Sequence, residues 1–176
     1  LVRSLEDLLA LPPLEKADIQ DHGPDLVARN WPRADLIRNQ TGGSTAPAAN
    51  SGWAEEISLD LDMVSSACPA CHILLVEASS NSFADLMAAE DQAAKTPGVV
   101  AISNSYGSNE FSGETSYDQH FYHPGIAITV SSGDSGYGPE YPAASQYVTS
   151  TGGTSLSSAS NSRGFSETAW SGAGSG

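Results

Sequence analysis

The sequence has few positive charges. Its 176 residues include 7 Lys and Arg against 21 Asp and Glu, so the formal net charge at pH 7 is −14. A surface this acidic repels the phosphate backbone of nucleic acids, which argues against DNA or RNA as a partner. It suits an acidic or extracellular setting, because partial protonation of carboxylates there relieves their mutual repulsion. Many soluble proteins are also acidic, so the charge argues against a nucleic-acid partner but does not decide the compartment.

Long hydrophobic runs are also missing. No apolar run reaches the roughly 18 residues that span a bilayer, so we expect no membrane partner. The opening residues Leu1-Val2-Arg3 do not form a signal peptide. They resemble an interior start, and we expect a leader to have been removed or excluded. Asn39-Gln40-Thr41 fits the N-glycosylation pattern, which matters only in a eukaryotic secretory host.

Cysteine is scarce, and both cysteines lie in Cys68-Pro69-Ala70-Cys71-His72. The pattern C-x-x-C-H is that of c-type haem attachment, and C-x-x-C occurs in dithiol oxidoreductases. A redox dithiol usually follows a strand, whereas this pair precedes the predicted strand 72–77. Zinc would need two further ligands, and there is no second pair. The sequence favours a local disulfide between Cys68 and Cys71 in a secreted protein, with haem and redox roles as alternatives.

Hydrophobic periodicity predicts alternating helices and strands. Apolar residues recur at helical spacing over 53–66 and from Ser82, a predicted N-cap, to Lys95. Short apolar runs predict strands, and a short helix is expected near 114–122. The predicted strands are 72–77, Val99–Ser103, Ile126–Ser132 and Tyr147–Thr151. This order predicts an α/β fold with a mainly parallel sheet flanked by helices.

Residues 1–38 differ from the rest of the chain. Ser4 to Leu9 can form a short helix that Pro12-Pro13 ends, and further prolines keep the remainder irregular. No hydrophobic strand is evident in this segment. We therefore separate a divergent N-terminal segment, 1–38, from a domain over 39–176.

The stretch Ser131-Ser132-Gly133-Asp134-Ser135-Gly136 lies where the third predicted strand ends. Functional groups gather at the carboxyl ends of parallel strands, and Asn104-Ser105-Tyr106 follows the second strand. Gly-Asp-Ser-Gly surrounds the nucleophile of trypsin-like proteases. Those enzymes need a β-barrel and a histidine base, and none of the four histidines here lies in a base motif. The match to trypsin-like chemistry is therefore weak.

Glu56 and Asp60 are four residues apart on a predicted helix, so their carboxyl groups lie on one face. If such a pair is close and partly buried, it shares a proton and the pKa of one carboxyl rises. The pair could then relay protons at acid pH, where histidine would be protonated. From periodicity alone, solvated acids beside Glu55 and Asp62 are the simpler interpretation.

Six segments follow one another in an order and spacing typical of one peptidase family. They are Trp53–Asp62 with its E-x-x-x-D pattern, Val100–Gly107, Ser132–Gly136, Tyr141–Ser145, Gly152–Leu156 and Phe165–Trp170. Together they resemble the sedolisin family of serine-carboxyl peptidases, from about Asn39 to the end of the chain.

The resemblance implies a subtilisin-like α/β fold and cleavage of peptide bonds, usually in acid. It implies Glu56 as the general base, Asp60 as the acid that orients it, and Asp134 as the oxyanion-hole residue. A protonated Asp134 can donate a hydrogen bond to the developing oxyanion. Ser135 would then be a turn residue beside the working aspartate.

The family's nucleophile lies in a G-T-S-x-S-x-P-type motif on a late helix, and the sequence ends before such a segment. Gly153-Thr154-Ser155 is similar, but it follows a strand and lacks the proline. The family's calcium-binding segment is C-terminal too, so we expect no cofactor in this chain. The resemblance thus predicts a truncated, partial peptidase domain over 39–176.

These observations predict a secreted serine-type endopeptidase domain that acts on peptides or proteins at acidic pH and is inactive alone. The alternative is a non-catalytic secreted module, derived from a peptidase, that binds a peptide or partner. A third account lets another serine of the chain substitute as nucleophile. A truncated sheet would expose apolar surface, so we also expect a complementary C-terminal fragment or self-association.

Overall fold

The computed structural model describes residues 34–37, 46–68 and 70–175. The helix predicted from Ser4 and the glycosylation pattern at Asn39 lie outside these residues. The chain divides into two compact units, Leu1–Gln92 and Ala93–Gly176. The sequence boundary between 1–38 and 39–176 stays a prediction.

Among the described residues, the first unit holds two strands, a helix that packs on one of them and most of a second helix. Strand β1 (Ala34–Ile37) pairs in parallel with β2 (Ile73–Val76). Helix α1 spans Ser51–Ala67, and helix α2 spans Phe83–Lys95. Leu61 and Ile73 form a buried core, against which three partly buried side chains pack: Ile57, Val64 and Leu75. The apolar face predicted for 53–66 is therefore the face that α1 buries.

Polar side chains fix where both helices begin. Asn50 caps α1, because its Oδ1 accepts a hydrogen bond from the Trp53 N–H at 3.1 Å. Ser82 caps α2 as predicted, and its Oγ accepts from the Asp85 N–H at 3.2 Å. The Ser80 hydroxyl donates to the Asp85 carboxylate at 2.5 Å, which adds a second contact at this helix start.

The predicted disulfide between Cys68 and Cys71 is present. Cys68 follows the last residue of α1, and its N–H donates to the Val64 carbonyl at 2.9 Å. The bridge joins the end of α1 to the residues that lead into β2. Both sulfur atoms are bonded to each other, so neither is available for a thioether to haem in this form of the chain.

The second unit contains a three-stranded parallel sheet with the order β3-β4-β5, and a separate hairpin. The strands of the sheet are Ala101–Asn104, Ala127–Ser131 and Thr149–Thr151. A 3₁₀ helix, Glu114–Phe121, stands where the short helix was predicted. Antiparallel strands β6 (Thr154–Ser158) and β7 (Phe165–Ala169) form the hairpin. The α/β class with parallel pairing is confirmed.

The core of this unit lies around the central strand β4 and a tyrosine. Ile128 and Val130 of β4 are buried, as are Phe121 and Tyr141. The Phe121 and Tyr141 rings meet edge to face, with centroids 6.4 Å apart. The Tyr141–Pro142 peptide bond is cis.

Two elements were missed by the sequence analysis. Strand β1 lies within the segment 1–38 that was expected to hold no strand, which corrects that expectation. Its four residues carry too little pattern to predict pairing with β2, which is more than thirty residues away in sequence. The β6–β7 hairpin was missed because β6 is Thr-Ser-Leu-Ser-Ser, with one large apolar residue and no clear alternation.

Candidate active site

Helix α1 carries the predicted acid pair. Glu56 and Asp60 are one helical turn apart, and both are half-buried. Leu61, the next residue along the helix, is buried in the core of the first unit. Because the core fixes the rotation of α1, it also fixes the face on which the two carboxyl groups lie. The roles of Glu56 and Asp60 as base and orienting acid stay predictions.

Asp62 on the same helix has a perturbed carboxyl group. The sequence analysis named it only as an acid beside the pair, and in the structure it is half-buried. Burial raises its pKa above the ordinary value of 3.8, because the ionised form loses hydration. The environment of α1 therefore makes the ionised form of Asp62 less favourable than it is in water.

Asp134 belongs to the second unit and lies in the turn that follows β4. Gly133 before it has a φ of 104°, a conformation that glycine adopts without steric conflict. The turn is held by the Gly174 N–H, which donates to the Gly133 carbonyl at 2.8 Å. Asp134 and Ser135 are both exposed. A substrate group could reach the Asp134 carboxyl directly.

The parallel pairing brings the ends of three strands to one edge of the sheet. Asn104, the last residue of β3, is in register with Val130 of β4, and Ser131 is in register with Thr151 of β5. The predicted segments Asn104–Tyr106 and Ser132–Gly136 therefore follow neighbouring strands at their carboxyl ends, where ligands of such sheets bind. We call this the carboxyl edge of the sheet.

Two further residues at the carboxyl edge were not predicted. Ser132 is 3% exposed, and its hydroxyl has no hydrogen-bond partner among the described residues. The side chain of Glu140 lies against Gly107 and Gly133. Ser132 lies in the segment Ser132–Gly136, but no role of its own was predicted for it. Glu140 belongs to none of the six segments, so no sequence pattern pointed to it.

A buried tyrosine holds the chain that follows the Asp134 turn. The Tyr141 hydroxyl donates a hydrogen bond to Asp118 Oδ1 at 3.1 Å. Burial and the negative charge of Asp118 raise the pKa of Tyr141 well above its ordinary value. The phenol therefore stays protonated and keeps donating across the ordinary pH range.

The described residues hold neither a cluster of metal ligands nor a membrane-spanning helix. Among the described ranges, no group of three or more His, Cys, Asp or Glu side chains is placed to hold a metal ion. None of the helices in this part of the chain is long and apolar enough to cross a membrane. The expectation of no cofactor stays a prediction.

A search of solved structures finds Pseudomonas sedolisin, a serine-carboxyl proteinase complexed with two molecules of pseudo-iodotyrostatin. The TM-score is 0.60 at 21% sequence identity, over 94% of this chain and 51% of that chain. The chain has a sedolisin-like fold. No protein-family model matches the sequence, and no curated protein matches it.

The sedolisin-like fold agrees with the architecture that the motif resemblance implied. Because the two sequences are only 21% identical, the comparison supports a shared fold and nothing further. The chain spans about half the length of that structure. Glu56 and Asp60 lie in the first unit and Asp134 in the second. Their combination in one catalytic set is a proposal, argued below.

Proposed function

We propose that this chain is part of a serine-type endopeptidase domain that cleaves peptides or proteins at acidic pH. The sedolisin-like fold is the observation that carries the proposal. The half-buried acid pair on α1 and the exposed Asp134 at the carboxyl edge support it. All three are carboxyl groups, and carboxyl groups are the side chains that exchange protons in acid.

The proposed mechanism gives each carboxyl one role. A serine hydroxyl attacks the carbonyl carbon of the scissile peptide bond, and its proton passes to the Glu56 carboxylate. Asp60 hydrogen-bonds to Glu56 and holds it in place. Protonated Asp134 donates a hydrogen bond to the carbonyl oxygen as negative charge develops on it. Glu56 then returns the proton to the leaving amine as the C–N bond breaks.

We further propose that the 176-residue chain does not hydrolyse peptides by itself. Its serines show no counterpart of the family's nucleophile motif. The same observation favours a second candidate function, a secreted module that binds peptides or a partner without turnover. The two candidates differ in their response to loss of Glu56, because binding alone needs no general base.

Association with a complementary segment, or with a second copy, is part of the proposal. All three residues of β5 are exposed, and most residues of the β6–β7 hairpin are exposed as well. Strands of parallel sheets are usually covered on both faces. We also propose an extracellular location, for which the disulfide between Cys68 and Cys71 is weak support.

The test measures hydrolysis of a denatured protein from acid to neutral pH. It compares the 176-residue chain with a longer chain that adds a C-terminal segment carrying the family's nucleophile motif. We expect turnover only in the longer chain and only below about pH 5. In that chain, Glu56→Gln should lower kcat about 100-fold or more. Asp134→Ala should lower kcat by about 100-fold, as loss of an oxyanion donor does.

Glu55→Gln is the matched control, since Glu55 is exposed and lies beside Glu56 on α1. It should retain full activity. Full activity of Glu56→Gln and Asp134→Ala in the longer chain would show that the site is assigned wrongly. Peptide binding without turnover in both chains would support the binding module instead.

A further inference from the structure

Glu140 is held at the carboxyl edge of the sheet by backbone contacts to two loops. Its N–H donates to the Ser132 carbonyl at 3.0 Å, which ties it to the loop that follows β4. The next residue, Tyr141, exchanges two backbone hydrogen bonds with Ser108, each 2.9 Å long. Ser108 lies in the loop that follows β3. These contacts place Glu140 between the two loops.

Two glycines make room for the Glu140 side chain. A Cβ atom added at Gly107 would lie 2.6 Å from Glu140 Oε2. A Cβ atom added at Gly133 would lie 2.7 Å from Glu140 Cγ. Both distances are too short for real atoms. The carboxyl group therefore occupies a slot whose walls are the bare backbones of Gly107 and Gly133.

Among the described residues, the carboxyl group in this slot has no hydrogen-bond or ion-pair partner. Within the part of the chain that the structure describes, no hydrogen-bond donor and no cationic side chain reaches the Glu140 carboxylate. Glu140 is half-buried, and the neighbouring Gly107 is exposed, so the slot opens to solvent. A partly desolvated carboxylate without a donor is a strong acceptor for a cation that enters from outside.

We propose that Glu140 is a specificity residue that binds a positively charged side chain of a peptide substrate, with arginine as the best fit. A planar guanidinium that approaches the carboxylate from solvent can donate two parallel hydrogen bonds to it. The formal charge of −14 attracts cationic peptides toward the protein. Asp134 follows Gly133 directly, so the slot adjoins the proposed oxyanion residue. The identity of the ligand as a peptide rests on the proposed function.

A metal ion is a poorer occupant of the slot. Hard cations take several oxygen ligands at once, whereas the described residues offer no group of three acidic or histidine side chains. One carboxylate with open access suits a single organic cation.

The experiment measures peptide binding by the 176-residue chain and does not depend on hydrolysis. Two blocked pentapeptides differ only at the central residue, which is arginine in one and citrulline, its uncharged isostere, in the other. Each is titrated at about pH 6, where carboxyl groups are ionised. NMR shifts of the Gly107 and Gly133 amides report the Kd. We expect the arginine peptide to bind about fivefold more tightly than the citrulline peptide, because it can form a half-buried hydrogen bond between charged groups.

Glu140→Gln should abolish this preference, and Glu110→Gln should keep it. Glu110 is an exposed acid of the same unit, so its variant makes the same change in net charge. Gly107→Ala tests the proposal in a second way, because its added methyl group displaces the Glu140 carboxylate but keeps the charge. This variant should show a weaker preference for the arginine peptide. Equal binding of both peptides by the parent chain, or a preference that survives in Glu140→Gln, would overturn the proposal. Failure of the hydrolysis test would leave these results unaffected.

Discussion

The hydrogen bond between Tyr141 and Asp118 offers the sharpest test of the second unit. Tyr141 is 1% exposed and Asp118 is 9% exposed, so water cannot replace a lost partner easily. Among the described residues, the Tyr141 hydroxyl is the group that donates a hydrogen bond to the Asp118 carboxylate. Tyr141→Phe removes this donor and keeps the aromatic ring, whose centroid lies 5.8 Å from that of Phe111.

The expected loss follows from the charge of the acceptor. Removing a hydrogen bond to a buried charged group costs about 2 kcal/mol of the free energy of unfolding. For a chain of this length, that lowers Tm by about 5 °C. Tyr137→Phe is the matched control, because Tyr137 is 92% exposed. Its free energy of unfolding should stay within about 0.5 kcal/mol of the parent value.

Urea unfolding followed by circular dichroism measures both variants. A double-mutant cycle of Tyr141→Phe with Asp118→Ala then tests whether the loss comes from this contact. We expect the double variant to be more stable than the sum of the two single losses predicts, by about 1 kcal/mol. If Tyr141→Phe matches Tyr137→Phe in stability, the hydrogen bond does not hold the segment after the Asp134 turn.

Two further predictions concern single polar groups. The pKa of Asp62 is raised by burial, so its carboxyl favours folding when protonated and loses that contribution as pH rises through the raised pKa. Asp62→Asn should therefore stabilise the chain at about pH 7 and leave it unchanged at about pH 2.5, measured by urea midpoints. Ser132→Ala removes a buried hydroxyl that has no partner, so the free energy of unfolding should stay equal or rise. A loss above about 1 kcal/mol would mean that the Ser132 hydroxyl is bonded.

Helices and strands were predicted best where the residues of a short segment show a recognisable pattern of their own. Helix α1 begins two residues before the predicted start. Apolar spacing identifies the interior of the helix, whereas the Asn50 cap determines where it starts. Ser82 was recognised as a cap because its position before an amphipathic run is itself a local signal. Strands β2 and β4 were found from compact apolar runs. Strand β1 and the hairpin were not, since their stability comes from pairing rather than composition.

The candidate site divides in the same way. The position of Asp134 just after a strand could be predicted, whereas its role came from the motif resemblance and stays a prediction. Helical spacing places Glu56 and Asp60 on one face of α1, and their roles too came from the resemblance and stay predictions. Burial could not be predicted, and Asp62 shows why. Nothing in the residues around Asp62 indicates that the fold buries it enough to raise its pKa.

Glu140 could not be predicted, and the physical reason is specific. Its carboxyl group is placed by a backbone bond to Ser132 and by the pairing of Tyr141 with Ser108, residues 33 positions apart. Neither contact can be predicted from the residues around Glu140, which in the sequence is one of many acidic residues. The groups proposed for bond cleavage lie on regular elements with visible periodicity or at a strand end. The Glu140 carboxyl, proposed to select the substrate, is placed by the contact between the loops that follow β3 and β4. A change in either loop can therefore alter this group without changing the three carboxyl groups proposed for bond cleavage.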